Sequence, residues 1–134
     1  MLDELVTETL SALPAGARAG RLLYVEDNPQ IAELTTMMLE DAAFDIVCAA
    51  SAEEALRIAD AAAIPFDMVL TDVVMPGLSG VQLAMRLNRR WPDMPVVLTS
   101  GYGDELVTGR QYELLSKPFT RGSLIECIER NLFN

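Results

Sequence analysis

The run Met68-Val69-Leu70-Thr71-Asp72 decides the fold of this 134-residue chain. Apolar side chains fall on both of its alternating faces, a pattern typical of a strand that is buried on both sides of a parallel sheet. The run ends in a carboxylate, and three further apolar runs are also followed by polar side chains. These are Leu22–Val25 before Glu26 and Asp27, Val96–Leu98 before Thr99 and Ser100, and Leu114–Leu115 before Lys117 and Pro118.

Helical patterns separate these runs. Asn28 and Pro29 are typical of a helix start, and we expect Ile31, Leu34 and Met38 on the buried face of the helix that follows. The predicted strands span about 21–25, 45–48, 67–71, 95–99 and 113–116, and later helices are predicted to begin after Ser51, Ser79 and Thr120. Strands that alternate with helices predict an α/β fold. The best fit is a flavodoxin-like, doubly wound parallel sheet of five strands in the order 2-1-3-4-5.

The polar side chains at the strand ends form the candidate site. Parallel strands bring their carboxyl ends to one edge of the sheet, and in this strand order ligands bind between strands 1 and 3. Glu26 and Asp27 follow strand 1 and Asp72 ends strand 3, so three carboxylates are expected in that crevice. Together with a hydroxyl from strand 4 and the Lys117 ammonium, they are what a divalent cation and a phosphoryl group require. Taken alone, each of these residues is an ordinary polar residue of a loop. Only their common position at one edge of the sheet indicates a site.

The composition limits the function. The chain is 51% hydrophobic and 22% charged, which is typical of a globular domain. Its net charge of −10 argues against a nucleic-acid partner, which requires a basic face. Without histidine, the chain cannot itself carry a phosphohistidine or bind a metal through imidazole. No apolar run approaches the roughly 20 residues of a membrane span, and the acidic N-terminus is unlike a secretory signal. We therefore expect a cytoplasmic protein, with Cys48 and Cys127 as buried free thiols.

From residue 21 to residue 134 the chain resembles the receiver domain of two-component response regulators. The matching runs are Leu22–Asn28, Val69–Gly80, Pro95–Gly101 and Lys117–Phe119, which include most of predicted strands 1, 3 and 4 and directly follow strand 5. The resemblance implies that Asp72 accepts a phosphoryl group from the phosphohistidine of a histidine kinase or a histidine phosphotransfer domain. It also implies Mg²⁺ (or Mn²⁺) ligands in Asp27, Asp72, the Val74 backbone carbonyl and, through water, Glu26. The switch hydroxyl is then Ser100 rather than Thr99, and the phosphoryl-binding amine is Lys117, whose bond to Pro118 is usually cis in this family.

The chain departs from the family pattern in two places. The family often has an aromatic residue three positions before the lysine, where this chain has Leu114, and we expect Tyr112 to be out of phase with that strand face. The segment from Ser100 to Lys117 is short and contains Gly101, Gly103 and Gly109, which weaken a helix. We therefore predict that the helix before strand 5 is reduced or irregular. The face that many family members use for dimerisation should be atypical, and the sequence is compatible with either a monomer or a weak homodimer.

The domain organisation is predicted from the N-terminal segment. Residues 1–20 read as a short amphipathic helix and a linker, and residues 21–134 as the receiver domain. The linker, the short segment before strand 5 and the end of the chain just after the last helix favour a receiver from the carboxy-terminal end of a hybrid histidine kinase. A stand-alone receiver is the alternative.

Other functions fit parts of the pattern. A Mg²⁺-dependent phosphohydrolase could use Asp72 as its nucleophile, but such enzymes usually place a second acid two residues later, where this chain has Val74. A docking module with a vestigial acidic site is disfavoured by the complete residue set, although Leu114 leaves the output step open. Flavin binding requires a phosphate loop after strand 1, where Glu26 and Asp27 would repel the phosphate.

Overall fold

Strands and helices alternate from residue 21 to residue 100, as the sequence predicts. A computed structural model describes residues 20–101 and 112–133. In chain order the elements are β1 (Arg21–Val25), α1 (Pro29–Asp41), β2 (Asp45–Ala49), α2 (Ala52–Ala61), β3 (Met68–Asp72), α3 (Gly80–Arg90), β4 (Val96–Ser100), β5 (Glu113–Ser116) and α4 (Arg121–Phe133). The strands pair in parallel in the order β2-β1-β3-β4-β5. The predicted fold class and strand order are therefore confirmed.

The sheet is covered on both faces, and this explains why its central strands are apolar in both phases. Every residue of β3 and β4 is buried. In β1, Leu23 and Val25 enter the core that also contains α2 and α3 side chains. Leu22 and Tyr24 enter the second core, which contains side chains of α1 and α4. The alternation of β1 side chains between two cores is the period of two that an extended chain imposes.

The buried face of α1 differs from the predicted one. Leu34 is 57% exposed, and Ile31 and Met38 are only half-buried. Thr35 and Leu39 are the buried residues of this helix. Because α1 carries apolar side chains around more than one face, the sequence pattern alone did not identify which face packs on the sheet. The packed orientation leaves an apolar surface on the outer side of α1.

Tyr112 packs on the same side of the sheet as Leu114, against the core under α2 and α3. The prediction that these two residues are out of phase is therefore wrong. Residues two apart in an extended segment point to the same face. An aromatic ring therefore lies on this face, two residues before the position that Leu114 occupies.

The two thiols occupy different environments. Cys127 on α4 is buried, as predicted, but Cys48 is exposed, because β2 is an edge strand with one open side. The Cys127 thiol lies 3.2 Å from Glu113 Oε2. Burial, together with this carboxylate, raises the pKa of Cys127 to about 12.

Two predictions fall outside the described residues. They are the helix and linker before Gly20 and the reduced helix between β4 and β5. Gly20 itself is buried, and its carbonyl accepts a hydrogen bond of 2.8 Å from the Asp45 amide. Of the helices in the described ranges, none has the length and apolar character needed to span a bilayer.

Candidate functional site

The carboxyl ends of β1 and β3 bring three acidic side chains together. Glu26 and Asp27 follow β1, and Asp72 is the last residue of the neighbouring strand β3. One carboxylate oxygen from each of the three lies within 4.8 Å of the others. Hard oxygen donors at this spacing suit Mg²⁺, which binds through carboxylates and retained waters. The three carboxylates that were predicted for the metal site therefore converge, and they fit a divalent cation.

Glu26 is the buried acid of this cluster, with 2% of its surface exposed. Its two oxygens have different partners. Oε2 accepts a hydrogen bond of 3.1 Å from the Asn28 amide, and Oε1 accepts one of 2.7 Å from Lys117 Nζ. Burial nevertheless raises the pKa of Glu26, and the charge of Asp72 adds to this effect against the opposing hydrogen bonds. Glu26 thus places a carboxylate where little solvent reaches it, next to the charge of Asp72.

Lys117 is the cation that offsets this charge. Its Nζ lies 2.7 Å from Glu26 Oε1 and 3.2 Å from Asp72 Oδ2, so one ammonium bridges two acids. Burial by itself lowers the pKa of Lys117, but the hydrogen bond to Glu26 and the charge of Asp72 outweigh burial and raise it. The Lys117–Pro118 peptide bond is cis, as the resemblance implied.

Ser100 ends β4 and is buried. Its carbonyl accepts a hydrogen bond of 2.8 Å from the Lys117 amide, which ties the end of β4 to the residue that carries the ammonium. Thr99, the rejected alternative, is the residue of β4 in register with Asp72. Gly101, the residue that follows β4, lines the open cleft.

The cleft above these residues has a volume of about 450 Å³ and is lined by both polar and apolar side chains. Asp27 is exposed at its edge, and Val74, which is also exposed, lines it from the segment after β3. The lining residues are Glu26, Asp27, Asn28, Ile31, Asp72, Val74, Gly101 and Lys117. The cleft therefore contains every predicted metal and phosphoryl ligand except Ser100.

An apolar groove of about 300 Å³ adjoins the cleft, and the sequence analysis missed it. It runs between α1 and the segment that follows β5. Its lining residues are Ile31, Leu34, Thr35, Met38, Lys117, Pro118 and Phe119. Ile31 and Lys117 belong to both the groove and the cleft. The signal for this groove was the excess of apolar residues on α1, which the analysis had assigned to the core.

Comparison with known proteins gives a consistent result. The protein-family model of the response regulator receiver domain matches residues 22–129 of this chain. A response regulator receiver protein from Brucella abortus, CpdR, is 31% identical over 120 residues, covering 84% of this chain and 96% of the relative.

Two solved structures extend this likeness. The receiver domain of the hybrid histidine kinase CckA is 31% identical, with a TM-score of 0.75 over 84% of this chain and 99% of that one. The response regulator TrrA of Thermotoga maritima, solved with Mg²⁺-BeF, is 28% identical, with a TM-score of 0.73 over 84% and 99% of the two chains. The chain spans about a quarter of the length of the first curated relatives that it matches.

Proposed function

The chain belongs to the response regulator receiver domain family, and on this premise we propose that it accepts a phosphoryl group from a phosphohistidine onto Asp72. The observation that carries the proposal is the position of Lys117, whose ammonium bridges buried Glu26 and Asp72 in an open cleft. A lysine held at this place can pair with a phosphoryl oxygen as it arrives at Asp72. Phosphoryl transfer depends mainly on such positioning and charge neutralisation.

Each residue of the site has a defined part in the proposed transfer. A carboxylate oxygen of Asp72 attacks phosphorus, the P–N bond to the donor imidazole breaks, and an acyl phosphate forms. Lys117 pairs with one phosphoryl oxygen, and the Ser100 hydroxyl donates a hydrogen bond to another. Asp27, Asp72 and the Val74 carbonyl would hold Mg²⁺ or Mn²⁺ directly, with Glu26 acting through water. A divalent cation bound there would neutralise charge on the carboxylates and the phosphoryl oxygens.

We propose the apolar groove as the docking site for the phosphohistidine donor. Leu34 and Met37 of α1 are 57% and 56% exposed, and the groove beside them shares Ile31 and Lys117 with the cleft. Such a groove suits the apolar side chains of a partner helix. A donor seated in it would lie next to Asp72. We propose a histidine kinase or a histidine phosphotransfer domain as this partner.

The signalling step follows from the new charge on Asp72. The Ser100 hydroxyl and the Lys117 ammonium would move toward the phosphoryl group, and both belong to strand ends joined by the Lys117 amide to Ser100 carbonyl hydrogen bond. We propose that phosphorylation shifts a two-state equilibrium of the segments after β3 and β4. Hydrolysis of the acyl phosphate resets the domain, which makes it a phosphoacceptor rather than an enzyme with multiple turnover.

We further propose that the domain is the receiver of a hybrid histidine kinase. The likeness to the CckA receiver over nearly the whole of that chain supports this placement. The similar likeness to CpdR, also over nearly its whole length, favours a stand-alone receiver as the second candidate. The coding sequence that flanks this chain distinguishes them, because a hybrid kinase would have a histidine-kinase core upstream.

The phosphoacceptor proposal is tested with acetyl phosphate and Mg²⁺, followed by intact mass measurement. The wild-type chain should gain one phosphoryl group, and Asp72→Asn should gain none. Asp93→Asn, which changes an exposed loop aspartate outside the site, is the matched control and should behave as wild type. Equal phosphorylation of wild type and Asp72→Asn would contradict the assignment of Asp72.

The docking proposal has a separate test. Leu34→Ser should slow transfer from a phosphorylated histidine phosphotransfer domain but leave phosphorylation by acetyl phosphate unchanged, because the small donor does not need the groove. Ile64→Ser, at a similarly exposed position outside the groove, is the control. A Leu34→Ser chain that receives phosphate from the protein donor at the wild-type rate would argue against this groove.

A further inference from the structure

The segment between β3 and α3, residues 73–79, contributes Val74 to the cleft. The segment is closed at its base by a hydrogen bond of 2.9 Å from the Gly80 amide to the Val73 carbonyl. Met75, one residue beyond Val74, is buried in the core under α2 and α3. The Leu78 side chain also packs against this core. The backbone at Gly77 and Leu78 has a further contact, from α2.

Glu53 of α2 supplies that contact. Its Oε2 accepts a hydrogen bond of 3.1 Å from the Leu78 amide. The carboxylate also lies against Gly77, where a β-carbon would be 2.6 Å from Oε2. Gly77 has a φ of +81°, a backbone conformation that favours glycine, and an added β-carbon would displace the Glu53 carboxylate. The bond from Leu78, followed by one from its own amide, lowers the pKa of Glu53, as expected for a carboxylate that accepts hydrogen bonds.

The location of Glu53 relates this contact to the site. Glu53 lies in the first turn of α2, after the carboxyl end of β2, and therefore at the same edge of the sheet as the acidic cluster. Its side chain is exposed and is not among the residues that line the cleft. Glu53 can therefore influence the site through the backbone of residues 73–79 or through its charge, and the variants below separate the two.

We infer that Glu53 is a positioning residue for the candidate metal site: its carboxylate holds Gly77 and Leu78 so that the Val74 carbonyl stays directed to the cation. The inference rests on the proposed function, because Val74 is a ligand only in that proposal. Loss of the Glu53 contact would remove one restraint on the backbone of this segment, and Mg²⁺ requires near-ideal octahedral geometry from its oxygen ligands. Partners outside the ligand set that orient ligands contribute measurably to metal affinity.

The test compares wild type with Glu53→Ala, Glu53→Gln and the charge control Glu129→Ala, an exposed glutamate of α4. Three quantities are measured: the Mg²⁺ dissociation constant by calorimetric titration, the rate of phosphorylation by acetyl phosphate, and hydrogen exchange of the Leu78 amide. Glu53→Ala should weaken Mg²⁺ binding about tenfold, the lower end of the range for residues that orient ligands. It should also slow phosphorylation at fixed Mg²⁺ and speed exchange at Leu78.

Glu53→Gln separates positioning from charge. The glutamine removes the same charge as alanine but keeps an oxygen that can accept the Leu78 amide, so Mg²⁺ affinity should stay within about twofold of wild type. Loss of the charge from the first turn of α2 should lower the unfolding midpoint of both variants, and Glu53→Ala also loses the Leu78 hydrogen bond. Mg²⁺ is therefore titrated well below both unfolding midpoints, where every variant is folded and a difference in stability does not alter the measured affinity.

The outcomes are distinct. Unchanged Mg²⁺ affinity in Glu53→Ala, or an equal loss in Glu53→Ala and Glu53→Gln, would overturn this inference while the proposed function stands. A wild-type chain that binds no Mg²⁺ and gains no phosphoryl group would overturn the proposed function and this inference together.

Discussion

Gly80→Ala should destabilise the domain far more than an alanine substitution normally does at a helix start. Gly80 is the first residue of α3, and a β-carbon there would lie 2.1 Å from the Asp72 carbonyl oxygen. It would also lie 2.9 Å from the Asp72 carbonyl carbon and 3.0 Å from the Val73 Cα. All three neighbours are backbone atoms, and Asp72 is held by its pairing with β4. Relief therefore requires α3 to move away by about 1.3 Å, since ordinary contact begins at 3.4 Å.

The expected loss in free energy of unfolding combines two destabilising contributions and one stabilising contribution. Overpacking of this kind costs up to about 3 kcal/mol. Moving α3 away also weakens the Gly80 amide to Val73 carbonyl hydrogen bond, worth about 1 kcal/mol. The replacement of glycine in a helix returns about 1 kcal/mol. We expect a net loss of about 3 kcal/mol and, for a domain of this size, a fall of about 12 °C in the unfolding midpoint.

Urea unfolding of wild type, Gly80→Ala and Gly122→Ala measures this difference. Gly122 is in the first turn of α4, and its nearest neighbour to an added β-carbon is Thr120 Oγ1 at 3.8 Å. Gly122→Ala should therefore be neutral or stabilising by up to about 1 kcal/mol. If Gly80→Ala were as stable as Gly122→Ala, the close approach of α3 to the end of β3 would not have the rigidity assumed here.

Three further predictions concern charge and thiols. Lys117→Met removes the ammonium between two acids, so the unfolding midpoint of this variant in EDTA should fall below that of wild type. Added Mg²⁺ should raise the midpoint of the variant more than that of wild type. Identical responses of the two proteins to Mg²⁺ would contradict this prediction. Burial raises the pKa of Glu113, but hydrogen bonds from α4 side chains outweigh it and lower the pKa. Its stabilising contribution is therefore present above the unfolded-state value of about 4.3 and is lost as the pH falls through the lower folded-state value. Glu113→Gln should flatten that part of the acid stability profile, measured by urea unfolding from pH 6 to pH 3. A thiol reagent should modify exposed Cys48 in the native protein and buried Cys127 only on unfolding, which intact mass over time can follow.

Much of the acidic site was predictable because parallel strands carry their last residues to one edge. Glu26, Asp27 and Asp72 were selected from apolar runs and the polar residues after them, and they do converge. The sequence could not show that Lys117 pairs with Glu26, because the two residues are 91 positions apart. Nor could a local pattern reveal that Glu53 reaches Leu78 from another helix.

Helix orientation was the weaker part of the prediction. The apolar residues of α1 allow more than one buried face, and the expected one, with Leu34 inward, is not the one that packs. Thr35 is buried instead, a position that hydrophobicity alone would not select. The phase of Tyr112 relative to Leu114 was wrong for a simpler reason, because residues two apart in an extended chain share a face.

The sequence by itself determined the alternation of strands and helices, the strand order and the edge at which the acids meet. These depend on local periodicity and on chain connectivity, which leaves few topologies for a parallel sheet. The tertiary structure alone decided which side of α1 faces outward, which acid the lysine contacts and what holds the segment after β3. Those features depend on contacts between residues far apart in the chain, and their geometry is set by how whole helices pack on the sheet.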